Sequence, residues 1–278
     1  MITGKTTLIA HIGYPTDHFK APMIYNPWFE SKGIDAVVMP MGVKPEDYVA
    51  ALASIRKFTN LKGALITMPH KVTTMSLVDE ASPTAHVAGA CNALLVRPDG
   101  SLLGDQFDGL GFVLGLKRKG FVPAGKRALV VGSGGVGSAI AASLADAGVT
   151  ELTLFDARPE GAEGLAQRLQ KYFPQLQVST GSNDPHGYDL VVNATPMGAQ
   201  DGDPLPFDVS RLIPGTYVGE VVMKQTITPL LAEAQARQCP IQTGAEMLIE
   251  MIPAYLAFFG FGKATPEELM AASSKGKP

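Results

Sequence analysis

Residues 127–156 read RALVVGSGGVGSAIAASLADAGVTELTLFD: an apolar run, a glycine-rich turn, a small-residue helical stretch and a second apolar run. Gly132, Gly134 and Gly137 take the G-x-G-x-x-G spacing directly after one strand pattern and directly before a helix, the context in which that spacing carries meaning. The first glycine makes the tight turn, the second lets the backbone approach a pyrophosphate, and the third lets helix and strand pack closely. With Gly135 and Val136, these residues form the N-terminus of a helix, the positive end of its dipole and a ready anion site. The bland alternative is a tight turn with no ligand. Asp156 closes the second strand where a carboxylate accepts hydrogen bonds from the adenosine ribose hydroxyls, and it would repel a 2′-phosphate. Arg158 lies two residues on and is open to two readings, a partner for that phosphate or a solvated cation.

This unit fixes the reading of its surroundings. TTLIAHIG, IDAVVMPMG and GALITMP read as strands, alternating with the helical patterns PMIYNPWFESKG and PEDYVAALASIRKF. Beyond the glycine turn, AEGLAQRLQKYF, TPLLAEAQARQC and EMLIEMIPAYLAFFG read as helices, while DLVVNATPMG and TYVGEVVM read as strands with loops. The tail ASSKGKP reads as frayed. The expected fold class is α/β. An N-terminal, mostly parallel α/β domain (1–109) precedes a Rossmann dinucleotide-binding domain (110–243) and C-terminal helices (244–278).

Composition removes several function classes. A net charge of −3 gives no electrostatic reason to expect nucleic acid or an anionic membrane as partner. No apolar run reaches the roughly eighteen residues of a membrane-spanning helix, and MITGKTTLIAHIG lacks a signal-peptide pattern. Two cysteines, Cys91 and Cys239, cannot build a disulfide framework, so the expected setting is cytoplasmic. The five histidines show no metal-ligand spacing, and no metal is expected. GKTT at residues 4–7 lacks the upstream glycine of a P-loop.

A nicotinamide cofactor moves hydride, so the substrate needs a protein group to move the proton. ITMPHK ends a strand and offers Thr67 and Lys71; GDQFDGLG offers Asp105 and Asp108. Taken singly, Lys71 also suits a surface position and Asp108 a helix N-cap, and spacing alone does not choose.

The ordered set GYPTDHFKAP, ITMPHK, GACNA, GDQFDGLG, GSGGVGSA, NATPMG, TPLL and GAEMLIE does choose. It resembles the shikimate/quinate dehydrogenase family along essentially the whole chain. The resemblance implies a substrate domain and a Rossmann domain with the active site in the cleft between them, and a closing helix that returns to the first domain. It makes Lys71 the catalytic lysine and Asp108 its carboxylate partner. Asn92 becomes a substrate contact, and Thr67 is expected near the substrate carboxylate. Asn193, Ala194, Thr195, Val221 and Gly244 fall on the cofactor side. NADP-using members carry Asn-Arg-Thr where this chain has Asp156-Ala157-Arg158, which favours NAD and leaves NADP possible.

The departures cluster on the substrate side. Typical members read H-S-x-S-P, whose serines bind the substrate carboxylate; here the stretch is His18-Phe19-Lys20-Ala21-Pro22. Asparagine-threonine is replaced by Gln106-Phe107, a threonine by Ala93, a tyrosine by Met223 and a glutamine by Glu250. A carboxylate brought to this wall loses charge-assisted hydrogen bonds of about 1.5–3 kcal/mol each, so two lost bonds mean roughly a hundredfold in affinity. Compensation by His18, Lys20 or Thr67 is the competing reading, with Phe19 turned into the core. Glu250 is open as well, either a pocket anion or a residue of a partly buried helix face.

The expected function is an NAD(P)-dependent oxidoreductase acting on CH–OH, in the EC 1.1.1 class. It interconverts a secondary alcohol and a ketone on shikimate, quinate or a related small cyclic polyol, with low activity on shikimate itself possible. The expected partner is a small molecule, and the expected state a monomer or homodimer. The alternative is a metabolite- and dinucleotide-binding sensor without turnover.

Overall fold

Strand β1 (Thr7–Gly13) is buried through its last five residues, as an apolar run between parallel neighbours must be. The computed structural model describes residues 2–198, 202–223 and 225–275. These divide into two compact units, one of residues 2–107 with 252–275 and the other of the described residues between 108 and 251.

The first unit continues with α1 (Pro22–Ser31), β2 (Ala36–Gly42), α2 (Tyr48–Ile55), β3 (Leu61–Ile66), α3 (Lys71–Thr74), β4 (Glu80–Ala81), α4 (Pro83–Ala88), β5 (Ala93–Val96) and β6 (Leu102–Asp105). Its sheet runs β2-β1-β3-β5-β6-β4. β5 lies antiparallel to both neighbours and makes the sheet mixed. The β5–β6 hairpin turns through RPDGS, where Arg97 N–H donates to Ser101 O and Gly100 takes φ 83°. Ala10, Ile12, Leu52, Ile66 and Leu94 form the core between sheet and helices.

The second unit holds α5 (Asp108–Arg118), β7 (Arg127–Val131), α6 (Gly135–Asp146), β8 (Glu151–Phe155), α7 (Pro159–Tyr172), β9 (Gln177–Thr180), β10 (Leu190–Asn193), β11 (Tyr217–Glu220), α8 (Pro229–Ala236), β12 (Ile241–Gln242) and the start of α9 (Gly244–Phe258). Its sheet is parallel throughout, in the order β9-β8-β7-β10-β11-β12. That is the doubly wound order, whose switch point lies between β7 and β10. Among the described residues no helix is long and apolar enough to cross a membrane.

One expectation is corrected. The C-terminal stretch is not frayed through residue 275, because α10 (Pro266–Lys275) is a regular helix packed on α1. Thr265 and Glu268 form a reciprocal cap: Thr265 N–H donates to Glu268 Oε2, and Glu268 N–H to Thr265 Oγ1. Lys32 adds an ion pair with Glu268 at 3.0 Å. Residues 276–278 of that tail lie outside the described residues.

Candidate active site

In the first unit the carboxyl ends of β1 and β3 lie side by side, with Ile12 opposite Ile66. Thr67 N–H donates to Ile12 O, and Tyr14 N–H to Met68 O, so the two strand exits are stitched together. Gly13 sits at this crossing. A Cβ there would meet Thr67 Cγ2 and would lie 2.9 Å from Phe19 Cζ, so only glycine admits both side chains. Phe19 does not enter the apolar core. The turn from Thr16 (Phe19 N–H to Thr16 O, 3.0 Å) folds its ring back onto His11, where the two stack at 4.0 Å and 25°. His11 is buried, 8% exposed, and its Nδ1 has no hydrogen-bond partner among the described residues. Burial, and second the Lys71 ammonium, push its pKa down to about 4, so the imidazole is neutral at physiological pH.

Lys71 opens α3 and is half-buried. The turn before it is clamped from behind. His70 stacks on Tyr48 at 4.0 Å and contacts Val43 O through Nε2 at 2.7 Å. Thr74 Oγ1 donates to His70 O and lies 2.7 Å from Tyr48 Oη. Cys91 N–H donates to Lys71 O at 2.9 Å, which ties the GACNA segment to the lysine.

The next residue, Asn92, is held through its N–H, its carbonyl and its side-chain oxygen. Its N–H donates to Asp105 O, and its carbonyl accepts from Ile66 N–H and from Tyr255 Oη. Its side-chain Oδ1 accepts from Phe107 N–H at 2.9 Å, and this fixes which end of the amide is oxygen. The Nδ2 amino group is then left buried without a partner among the described residues. An unmet buried donor costs about 1–3 kcal/mol unless something supplies an acceptor.

The other predicted substrate-side residues fall as follows. Phe107 contributes its main-chain N–H to Asn92, while its ring packs edge-on to Tyr255 and Phe258 at 4.9 and 5.5 Å. Ala21 is buried at the N-cap of α1, and Ala93 is buried at the start of β5. His18 and Lys20 are exposed, as is Met223 after β11. Asp105 is engaged by Ser82 Oγ and by Gln106 N–H. Asp108 is buried at the first position of α5. Glu250 is buried in α9 and ion-paired to Arg118, which balances its charge within the second unit.

That unit carries the glycine-rich turn. Gly132 takes φ 103°, and a Cβ on it would lie 2.8 Å from Ala194 O and 2.9 Å from Thr195 Cγ2. The loop after β10 therefore crosses directly over the turn after β7, at the switch point. A Cβ on Gly137 would strike Gly132 O. At Gly134, the N-cap of α6, no described residue comes within 4 Å of where a Cβ would stand, so the helix N-terminus is open. Asp156 is held by two backbone donors, Ser133 N–H at 2.7 Å and Arg158 N–H at 2.9 Å. Arg158 itself is exposed at the N-cap of α7.

Asn193 organises the crossing loop. Its Oδ1 accepts from Thr195 N–H and Oγ1–H, and its Nδ2 donates to Met197 O. Beside it, Glu220 is buried, accepts from Thr228 Oγ1–H at 2.6 Å and has its pKa raised by burial. A Cβ on Gly244 would lie 2.6–2.7 Å from the carbonyl oxygens of Val221 and Val222, so α9 starts against this strand exit. The open helix N-terminus, the bare glycine backbone, the anchored carboxylate and the buried Ser133 Oγ, without a partner among the described residues, fit a dinucleotide. Among the described residues no group of three His, Cys, Asp or Glu could hold a metal ion.

Sequence reasoning missed His11, which read as one more residue of an apolar strand. A polar side chain in a run buried on both faces was the available signal. Glu220 was missed in the same way.

Comparison with known proteins gives a consistent answer. The family model of the shikimate dehydrogenase substrate binding domain matches residues 11–94. The NADP(+) shikimate dehydrogenase of Acidiphilium cryptum is 35% identical over 273 residues, covering 98% of this chain and 97% of its own length. Shikimate 5-dehydrogenase from Listeria monocytogenes, solved with shikimate and NAD, superposes with a TM-score of 0.88 at 26% identity, covering 97% of both chains. Quinate dehydrogenase from Corynebacterium glutamicum, solved with NAD, has a TM-score of 0.84 at 26% identity, covering 97% of this chain and 99% of its own.

Proposed function

Because the chain belongs to the shikimate dehydrogenase family, we propose that it is an NAD(P)-dependent oxidoreductase interconverting a secondary alcohol and a ketone on shikimate, quinate or a related small cyclic polyol. The observation that carries this reading is the setting of Lys71 and Asn92. A cation and an unused buried amide donor are mounted on one hydrogen-bonded support, through Cys91 N–H and Lys71 O. Such a pair binds and orients a hydroxyl oxygen, the lysine taking up the hydroxyl proton as the free amine or returning it as the ammonium, and the amide fixing its direction.

In this reading Lys71 is the proton relay and Asp108 the carboxylate that serves with it. Thr67, at the exit of β3 in the same unit as Lys71, adds a hydroxyl. The nicotinamide dinucleotide, when bound, supplies the hydride acceptor or donor. Gly132, Gly134, Gly135, Val136 and Gly137 would hold its pyrophosphate on backbone N–H groups, and Asn193 to Thr195, Val221 and Gly244 would frame its other half. Asp156, anchored on two backbone donors and followed by Ala157, favours NAD over NADP: a 2′-phosphate there would face a carboxylate.

The test is turnover of a panel of shikimate, quinate and carboxylate-free cyclic alcohols with each cofactor. Lys71→Ala abolishes turnover while dinucleotide affinity stays within about twofold, since the lysine belongs to the first unit and the glycine-rich turn to the second. Undiminished activity in that variant, or binding without turnover across the panel, would reject the assignment in favour of a sensor.

A further inference from the structure

We propose that His11 and Phe19 together form the specificity-determining wall of the Lys71 site, and that this wall selects a substrate without a carboxylate, an uncharged polyol or hydroxyketone. The inference rests on the reading of Lys71 as the reacting centre and adds what that centre accepts.

The wall is a built feature. The loop after β1 could have turned Phe19 to solvent, but its ring is laid flat on His11 at 4.0 Å. Gly13 keeps clear the space into which Phe19 Cζ and Thr67 Cγ2 both come. Thr67 O accepts from His70 N–H at 3.0 Å, one residue before Lys71, so Lys71 follows directly on the Thr67 turn, and its charge reaches His11. His11, Phe19, Thr67 and Lys71 are therefore one neighbourhood of the first unit.

Its chemistry suits hydroxyl groups and not a carboxylate. A carboxylate only accepts hydrogen bonds, and it binds well where several donors or cations converge. Phe19 offers a ring face, electron-rich and without a donor, and the buried Ala21 offers none. His11 could become a cation to meet a carboxylate, but burial and Lys71 hold its pKa at about 4. Protonating it at pH 7 would take about a thousandfold from the binding constant. Neutral imidazole has one donor nitrogen and one acceptor, and Nδ1 is buried without a partner among the described residues. A hydroxyl can answer either state of that nitrogen, because it both donates and accepts. Asn92 Nδ2 is a further donor suited to a hydroxyl oxygen. The combination of an aromatic face, an uncommitted neutral imidazole and one amide donor beside an ammonium is a site for a neutral hydroxylated ring or short chain.

The experiment compares a matched pair, shikimate and its methyl ester, by kcat/KM with the preferred cofactor. It uses the native chain, His11→Leu, His11→Gln and the double variant Phe19→Ser, Ala21→Ser. The native protein prefers the ester by roughly tenfold or more, the worth of one charge-assisted hydrogen bond that the wall does not offer. His11→Leu raises KM for the ester, and His11→Gln, which keeps a donor and an acceptor, recovers part of that loss. The serine variant moves the preference roughly tenfold or more towards the acid. A binding arm does not depend on turnover: the His11 imidazole NMR signal moves when methyl shikimate is added and not when shikimate is added at the same concentration. If nothing in the panel turns over, the reading of Lys71 as a catalyst falls, while the NMR arm still decides the wall. A native preference for the acid, kinetics unmoved by all of these variants, or a His11 signal that answers shikimate and not its ester would overturn the inference.

Discussion

His11 is a base buried on the exit strand of a parallel sheet, and its ionisation is where this site can be probed most directly. In the folded chain its pKa is lowered from 6.5 to about 4, by burial first and by Lys71 second. An unfolded chain recovers the ordinary value, so on acidification the unfolded state binds the proton first. A base with a depressed folded pKa therefore contributes stability that is present above about pH 6.5 and is lost as the pH falls towards 4. The gap of about 2.5 pH units, at about 1.4 kcal/mol per unit, sets a ceiling of about 3.4 kcal/mol well below pH 4. By pH 5 about 2 kcal/mol of it has gone.

Replacing His11 by leucine removes the titration and keeps a side chain of similar bulk against Phe19. Urea unfolding of both proteins at pH 7.5 and pH 5 isolates the contribution, because every other titrating group cancels in the difference. The expected result is a relative gain of about 2 kcal/mol by the variant on moving to pH 5. A direct reading comes from the imidazole Cε1 resonance that disappears in His11→Leu, whose midpoint should lie near 4. In Lys71→Met that midpoint should rise, by less than burial lowers it. A native midpoint near 6.5, or a stability difference independent of pH, would refute the account of a neutral imidazole beside the lysine.

Three other perturbations address the second unit. Gly137→Ala drives a Cβ into Gly132 O, so NADH titration by fluorescence should show affinity reduced at least about tenfold, with a lowered unfolding temperature. Asp156→Ser removes the carboxylate that a 2′-phosphate would face, and the ratio of NADP to NAD in kcat/KM should rise by roughly tenfold or more. Arg118→Leu leaves the buried Glu250 carboxylate without its cation. The usual cost of about 3–5 kcal/mol is reduced to about 2 kcal/mol because the Arg118 side chain is half-exposed, and Glu250→Gln in the same background should recover most of it in denaturant unfolding.

What could be read in the sequence divides by the range of the interaction that enforces it. The turn at Gly132–Gly137 was legible because each glycine answers a steric demand set within a few residues. Gly132 needs a positive φ, and Gly137 needs room against Gly132 O. The same locality made two missed elements available in principle. RPDGS is a turn sequence between apolar runs, and it makes the β5–β6 hairpin. Thr265-Pro-Glu-Glu268 is a capping box with proline at the first helical position, and it starts the helix whose last turn the sequence reading places in a frayed tail.

Residues whose role depends on a distant partner were not legible in this way. Glu250 could be either a pocket anion or a helix-face residue until the fold supplied Arg118, 132 positions away. Phe107 shows how a substitution can mislead: an aromatic residue at a substrate-side position suggests an apolar wall, yet its ring belongs to the cluster with Tyr255 and Phe258. Only its N–H, which any residue but proline would offer, serves Asn92. Phe19 differs from Phe107 in that its ring has a neighbour with chemistry of its own. An apolar replacement beside a second apolar group would say only that a hydrogen bond had been given up. Beside His11 it builds a surface with a neutral donor–acceptor nitrogen, and such a surface can discriminate between ligands. The change at position 19 therefore gains its meaning from position 11, and the pair, more than either residue, is what should be varied when the substrate of this chain is sought.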